Sequence, residues 1–358
     1  MPPHPMEQKR HLRVLSKTWE TDDTATFVLE PTDGKAFEYL PGQYLSLIFA
    51  SNGKEERRAY SFSSCPGVDP HPAITVKRVP NGAFSNYLLQ HVQPGDVLES
   101  IEPNGLFLLP EKPVQNLFFI AAGSGITPVL SQLKSLLLQN SPKTQRIVLL
   151  YANRDSRSTI FKQQIDQWME QFPDRFECIY FFSREKNAEH ALYRHLNNEL
   201  LEDLLRDRFF GGRFSAADRR NTWFYLCAPV PMMRMARMTL RTLDFPEEHI
   251  QQETFLPEKP PQPRPRDTSI LHHITIYGLQ GATEFHTYEG ETILDAALRQ
   301  GIALPYTCKS GVCFSCLARC TSGQVEVAFT DALKQEGPGS MVNTCIGYAV
   351  SGEVGLAF

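Results

Sequence analysis

Cys308-Lys-Ser-Gly-Val-Cys313-Phe-Ser-Cys316, followed near the end of the chain by Cys345, is the stretch around which the sequence reads. Three thiols at C-x4-C-x2-C spacing close one loop, and a fourth arriving from another segment completes a set of four thiolates. That is the plant-type [2Fe–2S] arrangement. Gly311 lies inside the loop, where the lack of a Cβ lets backbone N–H groups approach cluster sulfurs. Zinc is the alternative for four cysteines, but structural zinc ribbons offer two close C-x2-C pairs and this segment has one. A one-electron centre needs a donor, so the remaining sequence is read for what could feed it.

The chain has 358 residues, 42% of them apolar, enough for two or three domains with separate cores. Eight cysteines, four of them clustered, do not form the framework of a small secreted protein and fit a reducing, cytoplasmic setting. No apolar run follows Met1 as a signal peptide would require. The most apolar stretch, Asn116 to Leu130, is broken by Gly123, Ser124, Gly125 and Pro128, so no membrane span is expected. Residues 268–358 hold eight Asp and Glu against four Lys and Arg, so the whole formal charge of −4 falls in the cysteine-bearing segment. Nucleic acid is disfavoured as a partner by this balance. An acidic electron carrier docks on a basic surface by steering, although a solvated acidic face has the same composition.

From residue 12 to about 111, short runs rich in β-branched and aromatic residues are separated by Asp33-Gly34, Asn52-Gly53, Asn81-Gly82 and Pro94-Gly95, the pattern of a small antiparallel barrel. After Asn116 the period changes. Buried strands at 117–121, 146–151, 177–182 and 222–227 alternate with helical patterns at 128–139, 160–171, 198–205 and 232–243, which predicts a doubly wound parallel sheet. Pro257-Glu-Lys-Pro-Pro-Gln-Pro-Arg-Pro-Arg is a linker by composition, about 30 Å long if it runs as polyproline II. Strands at 273–277 and 283–287, a helix at 293–300 capped by Thr292, and strands near 324–328 and 355–358 follow. The expected segments are 7–111, 112–256, the linker 257–268, and 269–358.

Three motifs carry the donor chemistry. Arg58-Ala59-Tyr60-Ser61 in a barrel strand supplies a cation for pyrophosphate, an aromatic ring to pack on a flavin and a hydroxyl for the reactive flavin nitrogen. Gly82-Ala83-Phe84-Ser85 precedes a helix expected from Asn86, a ready phosphate site; a plain Asn-Gly turn with Ser85 as helix cap is the alternative. Ala121-Ala-Gly123-Ser124-Gly125-Ile-Thr127-Pro128 lies between a strand and a helix, where glycines let backbone approach a pyrophosphate and Pro128 suits the first helical turn.

With these motifs in this order the chain resembles the ferredoxin–NADP reductase family, from about Leu12 to Phe358. Flavin barrel, nicotinamide domain and C-terminal plant-type ferredoxin together look like the reductase components of multicomponent oxygenases, and most resemble the reductases of ring-1,2-phenylacetyl-CoA epoxidases. The resemblance implies a multidomain protein: an antiparallel β-barrel for FAD, an α/β doubly wound sheet for NAD(P), and an α+β β-grasp ferredoxin domain. It implies that Arg58, Ala59, Tyr60, Ser61, Val76, Lys77 and Gly82 to Ser85 hold FAD. Gly123, Ser124, Gly125 and Thr127 would lie between nicotinamide and flavin, and Cys308, Cys313, Cys316 and Cys345 would ligate the cluster. Cys227-Ala228-Pro229 falls where the family has Cys-Gly-Pro beside the nicotinamide, and Glu253-Thr-Phe255 matches the acidic and aromatic residues that close the reductase. Ser61 and Cys227 are the candidate catalytic residues. Two departures stand out: Ala228 replaces a glycine, and Phe314 is bulky where the cluster motif is small. Ser183-Arg184 after the third α/β strand matches a grip on the 2′-phosphate of NADP, with Tyr193 near the adenine, which favours NADPH over NADH. The implied activity is an NAD(P)H-dependent flavin iron–sulfur oxidoreductase passing electrons to a separate oxygenase, a diiron phenylacetyl-CoA epoxidase, or alternatively an NADH-dependent reductase of a Rieske or other diiron ring hydroxylase.

The remaining cysteines and histidines read as structural. Cys178 alternates into a core strand, Cys65 precedes a turn and Cys320 is buried. His272 and His273 are adjacent on a strand and so point to opposite faces.

Overall fold

Between residues 9 and 104 apolar and polar side chains alternate, and the chain folds as strands: β1 (Lys9–Thr21), β2 (Thr24–Pro31), β3 (Tyr44–Ser51), β4 (Lys54–Ser61), β5 (Ala73–Lys77) and β6 (Val97–Asn104). The computed structural model describes residues 9–51, 54–112, 114–139, 146–186, 191–255, 264–278, 281–329 and 332–358. The strands form one sheet in the order β4-β3-β6-β1-β2-β5, with antiparallel pairing of β1 with β2, β2 with β5 and β3 with β6. The Asn52-Gly53 turn expected between β3 and β4 lies outside the described residues. Phe27, Leu29, Leu45, Leu47, Ile74 and Val76 are among the side chains that fill the barrel.

Helix α1 (Ala83–His91) starts at Gly82, which is its N-cap. This corrects the expectation of a helix beginning at Asn86 with Ser85 as cap. The Ser85 hydroxyl accepts from the Val79 N–H at 3.0 Å and donates to the Gly82 carbonyl at 3.4 Å. It is therefore spent on the preceding turn, inside the helix.

The second sheet follows the βα alternation. Its strands β7 (Asn116–Ala122), β8 (Arg146–Asn153), β9 (Phe176–Phe182), β10 (Ala191–Leu192), β11 (Thr222–Cys227) and β12 (Ile250–Gln252) lie in the order β10-β9-β8-β7-β11-β12 and are all parallel. Such strands are apolar on both faces because helices cover both. Phe119 and Leu117 face one cluster, Phe118 and Ile120 the other. The helices are α2 (Ile126–Leu138), α3 (Lys162–Gln171), α4 (Asn198–Asp203), α5 (Ala216–Arg220) and α6 (Val230–Thr242). Helix α3 starts later than its pattern suggests because Phe161 takes a left-handed conformation ahead of it. Strand order reverses between β7 and β11, so a crevice opens at their carboxyl ends, the ligand-binding position of open α/β sheets.

The C-terminal residues form a five-stranded sheet and a three-stranded one. With β13 (Asp267–Gly278), β14 (Gly281–Glu289), β15 (Leu317–Ser322), β16 (Val325–Phe329), β17 (Ala332–Glu336), β18 (Met341–Asn343), β19 (Gly347–Ala349) and β20 (Glu353–Ala357), the orders are β14-β13-β20-β15-β18 and β17-β16-β19. Helix α7 (Ile293–Arg299) packs its Ile293, Leu294, Ala296 and Ala297 into this core. Thr292 is its N-cap, accepting from the Asp295 N–H at 3.1 Å. Strands β15, β17, β18 and β19 escape a reading of the sequence because they are short and their pairing comes from distant partners.

Contacts divide the chain into two units: Met1–Lys9, Gly53–Ala59 and Phe255–Phe358 in one, and Arg10–Asn52 with Tyr60–Thr254 in the other. Most of the proline-rich linker, residues 256–263, lies outside the described residues. From Arg264 the chain is already fastened to the first unit. Arg264 pairs with Glu326 at 2.6 Å and stacks 4.0 Å over the Tyr348 ring. Gly290, at φ +75°, leaves room for the Pro265 carbonyl, which a Cβ would meet at 2.1 Å. Arg266 reaches the buried Glu291 at 3.0 Å, and Glu291 also takes two hydrogen bonds from Arg299. No helix among the described residues is long and apolar enough to cross a membrane.

Arg266 and Arg299 are themselves partly exposed and stay hydrated without their carboxylate. Glu291→Ala is therefore expected to cost the C-terminal unit about 1.5–3 kcal/mol, the loss of charge-assisted hydrogen bonds, read as a lowered urea midpoint, whereas Glu284→Ala at an exposed position of β14 has a much smaller effect.

Candidate functional site

The carboxyl ends of β7 and β11 bring the first group of residues together. After β7 the chain makes a tight turn at Gly123–Gly125 and enters α2. Gly123 sits at φ +53°, and the position of its missing Cβ is open, with no atom within 4 Å. Gly125 is the opposite case. A Cβ there would lie 1.8 Å from the Cys227 carbonyl oxygen, so only glycine lets the turn close on the end of β11. The sequence pattern assigns both glycines to a ligand; the geometry gives Gly123 the open side and Gly125 the packing. The Tyr151 hydroxyl donates to the Gly123 carbonyl at 3.0 Å, and that of Thr127 to the Ser124 carbonyl at 3.0 Å, fixing the turn from below.

Cys227 is buried at this junction, and burial, followed by the nearby Glu253 carboxylate, pushes its thiol well above the usual range. Ala228 and Pro229 lead into α6, with Pro229 as its N-cap. The N–H of Glu253 donates to the Leu226 carbonyl at 3.0 Å, placing Glu253 just beyond β12 beside Cys227. Desolvation pushes its carboxyl up to about 8, against a hydrogen bond from Ser61. The Ser61 hydroxyl lies 3.4 Å from Glu253 Oε2. Sequence reasoning assigns Glu253 only a closing role, and the Ser61–Glu253 pair is what it misses. No local signal links residues 192 positions apart.

The barrel side contributes Tyr60, partly buried against the core, and β5, which runs against the 123–125 turn. Val76 is turned wholly into the barrel core, so only its backbone faces a ligand. The Lys77 ammonium pairs with Asp23 at 3.1 Å. Gly82 caps α1 and Ala83–Ser85 open its first turn, the end of a helix that favours anions, while Phe84 packs on Phe49. Arg58, in the other unit together with Ala59 and the exposed Phe255, pairs with Glu56 at 2.9 Å.

A cleft of about 660 Å³ lies past the carboxyl ends of β8 and β9, lined by Thr21, Asp22 and Asp23 of the β1–β2 turn together with Arg154, Asp155, Ser156, Arg157, Ser158, Arg184 and Glu185. Arg184 is brought there by its N–H bond to the Arg154 carbonyl at 2.8 Å, whereas Ser183, bonded to the Asn153 carbonyl at 3.2 Å, does not line it. Arg154 and Arg157 follow β8 in a loop whose arginines no sequence motif singles out. Tyr193 is exposed, its ring 5.3 Å from the Lys186 ammonium.

The cysteine loop sits in the first unit. Its four thiols are free of disulfides and lie in one run of contacts, Cys313 with Cys308, Cys308 with Cys345 and Cys345 with Cys316. Hydrogen bonds from Cys313 and Cys345 hold the Cys308 thiol far below its usual range. Among the described residues no three His, Cys, Asp or Glu are arranged to hold a metal ion together. Four gathered thiols fit the ligand set of a two-iron cluster, and the C-x4-C-x2-C spacing with one remote cysteine favours it over the zinc site weighed as the alternative. The Ser310 N–H and the Ser315 hydroxyl point at the sulfurs of Cys308 and Cys313, at 3.4 and 3.0 Å. Such hydrogen bonds stabilise thiolate charge.

Gly311, at φ +76°, leaves space that Ile346 fills; a Cβ would meet Ile346 Cδ1 at 2.3 Å. Its carbonyl accepts from the Asn343 amide at 3.2 Å, so the loop is clamped to the segment carrying Cys345. Cys316 and Cys345 are buried, while Cys308 and Cys313 are partly exposed. Phe314 adopts φ +60° and is 40% exposed, a strained backbone for a bulky residue.

Comparison with known proteins finds a domain match in each of the three segments. Residues 11–108 match the oxidoreductase FAD-binding domain, 119–238 the oxidoreductase NAD-binding domain and 278–350 the 2Fe-2S iron-sulfur cluster binding domain. The chain is 32% identical over 335 residues to one of the subunits of the 1,2-phenylacetyl-CoA epoxidase of Escherichia coli K12, covering 91% of this chain and 90% of that one. It is 30% identical to the ferredoxin reductase component of 3-ketosteroid-9-alpha-monooxygenase from Rhodococcus rhodochrous, covering 91% and 90%. Phthalate dioxygenase reductase shares the fold with a TM-score of 0.60 at 22% identity, over 97% of each chain. With a flavin-type barrel, a parallel nicotinamide-type sheet and four gathered cluster cysteines in one polypeptide, the chain belongs to the ferredoxin–NADP reductase family, in the form that carries a C-terminal plant-type 2Fe–2S domain.

Proposed function

We propose that this oxidoreductase takes electrons from NADPH through FAD and a [2Fe–2S] cluster to a separate oxygenase component, a diiron phenylacetyl-CoA epoxidase. The observation that carries the reading is the occurrence, in one chain, of the Ser61–Glu253–Cys227 crevice and of four thiols gathered in one run of contacts. When bound, nicotinamide supplies a hydride, flavin takes it as two electrons and releases them singly, and the cluster carries one at a time. The names of the relatives support an oxygenase as acceptor.

The chain's own part is to bind, orient and exclude water. Cys308, Cys313, Cys316 and Cys345 hold the cluster. Tyr60, the backbone at Val76 and Lys77, and the first turn of α1 would hold the flavin nucleotide, and Gly123 would leave its open side to the nicotinamide half. Cys227, buried and kept as a thiol, walls the crevice as a small apolar group. Ser61 orients the flavin edge by a hydrogen bond. Glu253, protonated near neutral pH, holds a proton within reach of the Ser61 hydroxyl, and the pair would offer hydrogen bonds to a bound flavin.

Arg154, Arg157 and Arg184 around one cleft support NADPH, because guanidinium groups match a 2′-phosphate dianion. A second reading, NADH with a Rieske or other diiron hydroxylase, draws on Asp155 and Glu185 in the same cleft, since a carboxylate suits a free ribose 2′-hydroxyl.

Purified protein is expected to contain iron, sulfide and FAD, and anaerobic NADPH should bleach the flavin and then the cluster absorption. Protein that binds both groups yet stays unchanged with either nicotinamide would defeat the reading. Arg184→Ala and Arg157→Ala should each lower kcat/KM for NADPH about 10-fold or more, as loss of a charge-assisted hydrogen bond of ~1.5–3 kcal/mol requires, and leave NADH nearly unaffected; equal losses for both nucleotides would favour the second reading. Because folding raises the Glu253 carboxyl from 4.5 to about 8, its contribution to stability is present at acid pH and is lost as pH rises through about 8. Glu253→Gln should therefore gain urea resistance relative to wild type between pH 5 and 8.5, and a constant difference would mean that Glu253 is not desolvated.

A further inference from the structure

Arg57 stands immediately before the flavin motif and was assigned no role by it. In the unit formed by residues 1–9, 53–59 and 255–358, its side chain is buried, only 6% exposed. Burying a guanidinium is costly unless its charge and its donors are met, and here they are met from two directions. Its Nε donates to Glu55 Oε1 at 2.8 Å, with Nη2 2.7 Å from the same oxygen. Its Nη1 donates to the backbone carbonyl of Tyr306 at 2.9 Å, and the guanidinium lies 4.1 Å over the Tyr306 ring. Glu55 is itself braced by Lys9 at 2.9 Å.

Tyr306 is two residues before Cys308, the first cluster ligand and one of the two that are partly exposed. The Lys309 ammonium lies 5.0 Å from the same ring and pairs with Asp295 at 3.2 Å. The approach to the cluster loop is thus held between an arginine from β4 and a lysine from the loop itself. The chain that carries Arg57 runs without interruption into Arg58, Tyr60 and Ser61, the residues assigned to the flavin. A cation–π contact and a carbonyl bond made by one planar group fix both the position and the tilt of Tyr306. A lysine could make only one of these.

We propose that Arg57 is a positioning residue for electron entry into the cluster: by gripping the Tyr306 carbonyl and ring it fixes the partly exposed Cys308–Cys313 end of the cluster loop, the end through which electrons enter. The proposal rests on the reading that flavin feeds the cluster within this chain. Arg57 touches neither group, so its loss acts on the rate of that transfer and not on the properties of either centre.

The test uses the full chain with FAD and cluster bound, mixed rapidly with NADPH under anaerobic conditions. In Arg57→Ala, bleaching of the flavin should keep its wild-type rate, while growth of the reduced-cluster paramagnetic signal should slow 10-fold or more, with unchanged g-values and cluster potential. Tyr306→Leu keeps the carbonyl but removes the ring under the guanidinium, and should slow the same step about threefold. Arg57→Lys should recover part of the rate lost in Arg57→Ala. Wild-type rates of cluster reduction in both Arg57→Ala and Tyr306→Leu would overturn the proposal, leaving Arg57 a packing residue. Altered g-values or potential would also overturn it, by showing that Arg57 shapes the cluster itself. A wild-type chain whose flavin is reduced but whose cluster never is would overturn the functional reading together with this proposal.

Discussion

Gly125 lies so close to the carbonyl of Cys227 that any side chain would drive the 123–125 turn away from the end of β11. The crevice of the parallel sheet depends on that contact. With the two segments closed on each other, Cys227 is sealed in and Glu253 is brought beside it. Both then lie in surroundings too poor in water to favour charge, so thiol and carboxyl are both pushed toward their neutral forms.

The cluster loop solves a related problem by different means. Its four sulfurs must be gathered before any metal binds, although like charges resist such crowding. Gly311 accepts Ile346 in the space of its missing side chain, and Asn343 ties the same residue's carbonyl to the segment that delivers Cys345. Thr344 adds bonds from its N–H and its hydroxyl to the Cys316 carbonyl, at 3.1 and 3.2 Å. The loop and the distant fourth ligand are thereby one rigid piece. The asymmetry that results, with one pair of thiols buried and the other partly exposed, gives the centre a defined face for exchange of electrons.

Charged groups inside the C-terminal unit are placed where they fix chain segments rather than where they add much stability. Glu291 collects Arg266 and Arg299, and Arg264 combines an ion pair to Glu326 with a stack on Tyr348. Glu326 and Tyr348 are directly opposite on β16 and β19, so Arg264 bridges a cross-strand pair three residues beyond Cys345. Buried ion pairs contribute little net free energy but penalise every alternative arrangement that leaves a charge unpaired. Here they determine where the proline-rich stretch ends and the packed unit begins.

The sequence alone determined the cluster type, because C-x4-C-x2-C with one remote cysteine is a local spacing whose chemistry is set by loop length. It also determined the βα alternation of the second sheet, because continuously apolar strands and amphipathic helices carry their periods in the residues themselves, and it placed the Thr292 cap of α7. It misplaced the start of α1, where Ser85 had two possible backbone partners and only the folded turn selects between them. Short strands such as β18 and β19 were illegible, since their pairing comes from residues far along the chain. The separate duties of Gly123 and Gly125, the meeting of Ser61 with Glu253, the gathering of Arg154, Arg157 and Arg184 in one cleft and the grip of Arg57 on Tyr306 all arise from tertiary packing. Each depends on which surfaces the packed sheets bring within a few ångströms, and no local pattern of residues encodes that distance.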